Sequence, residues 1–258
     1  MAKLKYTFND YINNPSGKGS AINIGVNRDT YEKELISLES RNTKTKYNVY
    51  KQSKRNGLSM YYIHFLIPSS TKEFTNDVVI EFNPNADDTN SIKTIRSYNV
   101  RFFSNDSNFV YTYAYTFKSH GVLINELEKL LPFRSIMQKP TMRNPDNAMG
   151  YNKSIYFAYL VMERDNLFNK ENLNRIAKNA GISKINSEIL PFDKKEQERS
   201  KIIRDAKDAG KKENKQINNK VIKSKNLLGD NPLDLKPKIT KIASRVRKTS
   251  NVKKSKKI

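Results

Sequence analysis

Two carboxylates, Asp77 and Glu81, flank the short apolar run DVVIEF at 77–82. An Asp followed by an acidic residue, with a Lys two positions further on, is the pattern of a metal-dependent nuclease site at the edge of a sheet. The carboxylates hold the ion and the Lys orients the attacking water. Here Asn83 stands where that Lys is needed. The pair therefore gives a metal-dependent nuclease, or another DNA-processing enzyme, only as an alternative reading.

The other candidates for chemistry are few. His64 and His120 are the only imidazoles, and there is no Cys. Disulfides and Cys-based metal sites are excluded. His64 lies within the apolar run LSMYYIHFLI and reads as a core histidine. Asp87 and Asp88 read as an acidic turn in solvent rather than a divalent-ion site. The fragment Gly17-Lys18-Gly19-Ser20 lacks the upstream Gly spacing and the preceding strand of a phosphate loop, and its Ser does not follow the Lys. It reads as a flexible arm or docking loop. No nucleophile elbow, zinc ribbon or dinucleotide-binding glycine pattern occurs. The expectation is a chain with no catalytic residue, no metal site and no cofactor.

Charge is the strongest signal. The formal net charge is +22, and it is unevenly spread. Residues 194–258 carry 22 Lys/Arg against 7 Asp/Glu, whereas residues 1–193 carry 26 against 19. From residue 236 onward there are ten basic residues and no acidic one: Lys236, Lys238, Lys241, Arg245, Arg247, Lys248, Lys253, Lys254, Lys256 and Lys257. Each cation that meets a phosphate releases counterions, which drives binding without regard to sequence. These ten are the candidate nucleic-acid contacts, with Lys241, Arg245, Arg247 and Lys248 foremost. Ile239, Ile242, Ala243 and Val246 would give that stretch a thin apolar helical face. It holds no Trp or Phe, which argues against a membrane surface. A protein-docking module for an acidic partner is the remaining alternative.

The elements that must position these residues begin with Phe109–Phe117, FVYTYAYTF. Its five aromatics fall at every second position, so the spacing predicts a strand with all five rings on one face. That face is either core or a stacking platform for single-stranded bases, with core favoured. Before it, strands are expected at 46–52, 58–67, 77–82 and 97–103, the first two joined by a hairpin turn at Lys54-Arg55-Asn56-Gly57. Pro68 ends the second. Tyr6, Phe8, Tyr11 and Ile12 are expected to anchor the N-terminus. Asp29 with Glu32 predicts a capping box and a helix to about Ser40. A helix is expected from Gly121 to Pro132, a buried helix is favoured over a strand for 153–164, and a short helix is expected after Asn169, closing near Gly181.

The fold class expected is α+β. An antiparallel sheet of about five strands over 46–117 is covered by helices from 121–180, and a basic helical and disordered C-terminal tail follows. Residues 1–192 form the globular part and 193–258 the Lys-rich tail. No apolar run is long enough to span a membrane, and the N-terminus lacks the apolar core of a signal peptide. A host-cytoplasmic or virion location is expected, neither secreted nor membrane-spanning.

Three stretches, NPSGKGSAINIGVNRDTY, SNDSNFVYTYAYTF and GYNKSIYFAYLVM, together resemble virion-associated and structural proteins of phages that infect low-GC Gram-positive bacteria. The resemblance touches about the first 170 residues and carries over no functional residue. It implies a virion-associated or accessory phage protein with structural or assembly duties. The partners implied are nucleic acid, with DNA favoured, other phage proteins, and a second copy of the chain.

Overall fold

The computed structural model describes residues 6–13, 24–41, 43–54, 57–71, 73–85, 93–141, 144, 147, 149–150 and 152–227. It contains two compact units, Met1–Ala206 and Lys207–Ile258. The first unit is α+β. Its sheet has five strands in the order β4-β3-β2-β1-β5. These are β1 (Lys46–Ser53), β2 (Ser59–Pro68), β3 (Thr75–Asn83), β4 (Asn99–Ser104) and the two-residue β5 (Lys178–Asn179). The first four pair antiparallel through short connections. β5 adds parallel to β1, which makes the sheet mixed.

The period-two patterns place these strands well. Gly57, with φ of +76°, takes the left-handed conformation that closes the β1–β2 turn, where its N–H donates to the Lys54 carbonyl at 3.1 Å. One cross-strand row, Val49–Ile63–Ile80–Phe102, is wholly apolar. Over that face lie α1 (Phe8–Asn13) and α5 (Lys153–Arg164). Phe8 stacks on Phe82 at 5.7 Å and Tyr11 meets Phe102 at 4.7 Å. The N-terminal aromatics are thus an anchor, as their composition suggests. The outer edge of β4 is covered by residues 6–7 and by Val122–Ile124, which bond to Val100 and Phe102. Such cover keeps an edge from pairing with another chain.

The stretch Phe109–Phe117 is not a strand. It forms a π-helical turn, Phe109–Tyr113, running into α3 (Ala114–Ser119). Every second position includes every fourth, so Phe109, Tyr113 and Phe117 also lie one above the other on a helix. Val110 and Ala114 lie beside them, and all five are buried. Tyr111 is left 52% exposed. A strand would have set Val, Thr and Ala on a flat face apart from the rings. The helix buries the rings and the small residues together. Asp106 decides its start: one carboxylate oxygen accepts from the N–H groups of Asn108 and Phe109 at 2.8 and 3.1 Å. The rings are core, as favoured, but on a helix.

Other expectations shift in smaller ways. α2 (Ile24–Arg41) starts before Asp29, so Asp29 and Glu32 lie inside it. The helix expected from Gly121 is a 3-10 turn at Asn125–Leu130, because Val122–Ile124 are extended against β4. Pro132 does end it, and α4 (Phe133–Met137) follows. α5 is a buried helix capped by Asn152, whose side chain accepts from the Ile155 N–H. Asn169 caps α6 (Lys170–Ile176). Gly181 opens a helix, α7 (Ile182–Glu188), rather than closing one. α8 runs over Phe192–Leu227. Phe192 and Lys195 are buried within the first unit. The amphipathic stretch at 238–248, the acidic turn at 87–88 and the Gly17–Ser20 fragment lie outside the described residues.

Asp106 ties these parts together. Besides the two backbone groups it accepts from Asn76 Nδ2, Asn152 Nδ2 and Ser154 Oγ at 3.0–3.3 Å. It therefore joins β3, the π-helical turn and the cap of α5. Asp106→Ala is expected to lower the unfolding free energy by about 3 kcal/mol, since it removes a helix cap and strands two partly buried amides. Urea denaturation of both proteins measures this.

Candidate functional site

The second face of the sheet carries most of the candidate chemistry. Side chains alternate along each strand, so Asp77, Val79 and Glu81 share one face with Tyr62, His64 and Leu66 of β2. A sheet face buried under helices is normally apolar. This one holds two carboxylates and an imidazole, with Asp77 4%, Glu81 0% and His64 4% exposed.

Each buried charge is met by another. Arg101 lies directly across from Glu81 on β4 and grips it with two hydrogen bonds, at 2.9 and 2.6 Å. Glu126 reaches the same guanidinium at 3.6 Å. Burial dominates at Glu81 and pushes its carboxyl above the usual range despite Arg101. Asp77 is held more fully. His64 Nε2 lies 2.8 Å from one of its oxygens. Lys195 Nζ and, at 2.7 Å, Asn105 Nδ2 donate to the other. The backbone N–H of Asp77 donates in return to Asn105 Oδ1 at 2.7 Å. Burial raises the Asp77 carboxyl, but the hydrogen bond to His64 and the charge of Lys195 outweigh it and leave it below the usual range.

Lys195 is supplied by α8, and its ammonium also lies 5.6 Å above the Phe74 ring. Arg199, one turn on, lies 6.0 Å above the same ring and donates to Ser107 Oγ at 3.2 Å. α7 supplies Glu188. Its carboxylate accepts from the Tyr50 hydroxyl at 2.7 Å and lies 3.7 Å from His64 Nδ1.

This arrangement is structural chemistry. Both carboxylates of the nuclease-like pair are turned inward and occupied by protein cations and amides, and neither faces solvent. The Asn83 side chain accepts from Lys54 Nζ. Among the described residues no three His, Cys, Asp or Glu side chains gather as metal ligands. His64 is the core histidine its apolar neighbours suggest. Its carboxylate partners, Asp77 and Glu188, were not legible, because both are remote from it in the chain. His120 bonds locally, with Nδ1 2.8 Å from the Thr116 carbonyl.

Among the described residues, one surface cleft is lined by Lys93 and Arg96 with Glu163, and another has its cations and carboxylates balanced. The second of these is lined by Tyr47, Asn169, Asn172 and Ile176, and by Arg164 and Arg175 together with Asp165 and Glu171. Arg164 is paired with Glu39 and Asp165 at 2.9 and 3.0 Å. The ten basic candidates from Lys236 to Lys257 lie outside the described residues. No described helix is long and apolar enough to cross a membrane. Compared with known proteins, the chain matches no family model, no curated protein and no solved structure.

Asp77→Asn is expected to cost about 3–5 kcal/mol, because it leaves Lys195 buried against a neutral group. Glu81→Gln is expected to cost less than about 1.5 kcal/mol, because Arg101 keeps Glu126 and an amide oxygen. The pH dependence separates the two carboxyls. The depressed Asp77 contributes stability that is full above its unfolded value near 4 and is lost as pH falls through the lower folded value. The raised Glu81 acts oppositely, and its contribution fades as pH rises from its unfolded to its folded value. Chemical denaturation of wild type and both variants between pH 3 and 7 checks sign and size.

Proposed function

We propose that the chain is a non-enzymatic, virion-associated structural or assembly protein of a phage that holds nucleic acid through its basic C-terminal segment. The observation that carries this reading is the segregation of charge, with ten Lys and Arg and no acidic residue from Lys236 onward. Three features of the folded unit support it. The sheet's charged groups are neutralised internally. The aromatic stretch that would have made a base-stacking platform is mostly core. The carboxylates that would have made a nuclease are occupied by protein partners. The placement in a phage particle rests on the resemblance of three sequence stretches to virion proteins. DNA packed in a capsid is the polyanion such a segment meets, and binding by counterion release suits it because no sequence needs to be read.

A docking role towards an acidic protein is favoured by one further observation. Phe133 and Met137, four residues apart on α4, are 73% and 50% exposed. Apolar side chains in that position suit a protein partner.

The test is duplex binding by the full chain across a salt series, against a full-length variant with the ten basic residues from Lys236 to Lys257 replaced by Gln. Wild type is expected to show a log–log salt slope steeper than about −5, reflecting at least six phosphate contacts. The variant is expected to lose at least that much slope and to bind at least a hundredfold more weakly at low salt. Equal binding by the variant would move the interface onto the folded unit. Cleavage of the duplex in Mg²⁺ would establish the enzyme instead. Absence of binding by wild type would favour the acidic protein partner.

A further inference from the structure

The stretch before β4 is fastened to the turn that joins α5 and α6. Thr94 pairs with Asn169, and the N–H groups of Ile95 and Lys170 donate to the carbonyls of Phe168 and Lys93, both at 2.9 Å. A cleft of about 380 Å³ lies beside this junction. Its apolar lining is Met162 and Phe168, both buried. Lys93, Arg96, Glu163, Asn166 and Asn169 supply most of its polar lining.

Glu163 is the one carboxylate among the described residues of that lining, and it is met by more donors than it needs. The Tyr159 hydroxyl donates to it at 2.5 Å and Arg28 at 2.8 Å, whereas Arg96 stands at 3.4 Å. Burial raises the Glu163 carboxyl, but Tyr159 and Arg28, ahead of Arg96, outweigh it and keep it below the usual range. Arg96 is therefore surplus to the carboxylate. Its guanidinium carbon lies 3.7 Å from the centre of the Phe168 ring. Stacked there, it keeps its remaining N–H groups in its own plane and free to donate. Lys93 is exposed and has no ionic partner among the described residues. Asn169 Oδ1 accepts from the Asn172 N–H at 3.0 Å, so its Nδ2 is left to donate. The Asn166 side chain is likewise unengaged among the described residues.

We propose that this cleft is a phosphate-group site of the first unit, with Arg96 and Lys93 as its cations and the side-chain amides of Asn166 and Asn169 as neutral donors. The charges around it fit an anion. Lys93, Arg96 and Arg28 stand against Glu163 and against Glu32, which lies 3.0 Å from Arg28. Lys170, whose ammonium is 6.0 Å from the Tyr98 ring, adds a cation, and Glu171 adds a carboxylate. The adjoining cleft shares Asn166 and Asn169 with this one. There Arg164 is divided between Glu39 and Asp165, and Arg175 bonds to Asn172 Oδ1. Among these described groups six cations face five carboxylates, which leaves one positive charge over. A phosphate carries three or more acceptor oxygens, so donors from Lys93 and Arg96 on one side and Asn166 and Asn169 on the other can each meet one. Neither cation belongs to the segment from Lys236 onward, so the site stands or falls apart from the proposed function. The phosphate is either free in solution or one link of a nucleic-acid strand.

The experiment uses the full-length variant with the ten basic residues from Lys236 to Lys257 replaced by Gln, so that the C-terminal segment does not compete. Proton–nitrogen spectra of the backbone amides and of the arginine Nε groups follow a titration with inorganic phosphate, with sodium chloride at matched ionic strength as the control. Saturable shifts are expected at Arg96 Nε and at the amides of 93–96 and 166–169, half-complete below about 10 mM phosphate and absent with chloride. Lys93→Gln and Arg96→Gln are each expected to weaken binding about tenfold, the scale of one hydrogen bond to a charged group. Lys93 is exposed and unpaired, so its variant is expected to fold as the parent does. Lys129→Gln, at an exposed lysine outside the cleft, should change nothing. A thymidine tetranucleotide separates the two sources. Tighter binding than phosphate, at the same residues, assigns the site to a strand, and weaker binding assigns it to the free ion. Absence of saturable shifts with phosphate, the same shifts with chloride, or undiminished affinity in both Lys93→Gln and Arg96→Gln would each overturn the site.

Discussion

Burying a carboxylate beneath helices is the constraint on which the rest of the first unit depends. An ionised Asp or Glu taken out of water costs several kcal/mol unless cations and donors meet it where it lies. This sheet takes up two of them on one face. Glu81 is answered from within the sheet, by Arg101 directly across on the next strand. Asp77 has Leu66 across from it on β2; His64 of β2 meets one of its oxygens, and a cation for the other comes from outside the sheet. Lys195 comes from 118 residues away in the chain to do so. The docking of α8 therefore follows from Asp77 as well as from apolar contact, and α7 is tied to the same place through Glu188. The opposite face has no such demand. Rings and branched side chains cover it, and packing alone decides what lies there.

The two faces were unequally legible for this reason. Alternation of apolar residues located four of the strands, and the helix over 153–164 could be read from its spacing. Those signals are local. The 109–117 stretch misled because its aromatics satisfy periods of two and four at once. What separates the two readings is the fate of Val110, Thr112, Ala114 and Thr116, all buried. A strand would expose a flat small face, whereas a helix packs these residues between the rings. Asp106 was the available clue, as an acceptor placed just before the stretch. β5 is two residues long and pairs in parallel, so no period could have revealed it.

The candidate site was less legible than the fold because its partners are brought together by topology. Asp77 and Glu81 were visible as a pair at strand ends. Nothing nearby in the chain announces Arg101, Lys195, His64 or Glu188 as their partners. The missing Lys at position 83 was the useful negative. In the folded unit each of the two carboxylates is occupied by side chains of the protein itself.

That internal occupation bears on where a polyanion is held. A cation already paired with a carboxylate gives up its partner before it can serve a phosphate, and much of the gain from counterion release is lost in the exchange. In the first unit Arg28, Arg101, Arg164, Lys118, Lys153 and Lys195 are all engaged with carboxylates. Their charge is spent on holding the fold. The segment from Lys236 onward has no carboxylate of its own, so none of its ten cations is neutralised by a neighbour in sequence. Paired charge specifies how the sheet and its helices fit together, whereas the run from Lys236 onward sets ten cations together in sequence with no carboxylate among them.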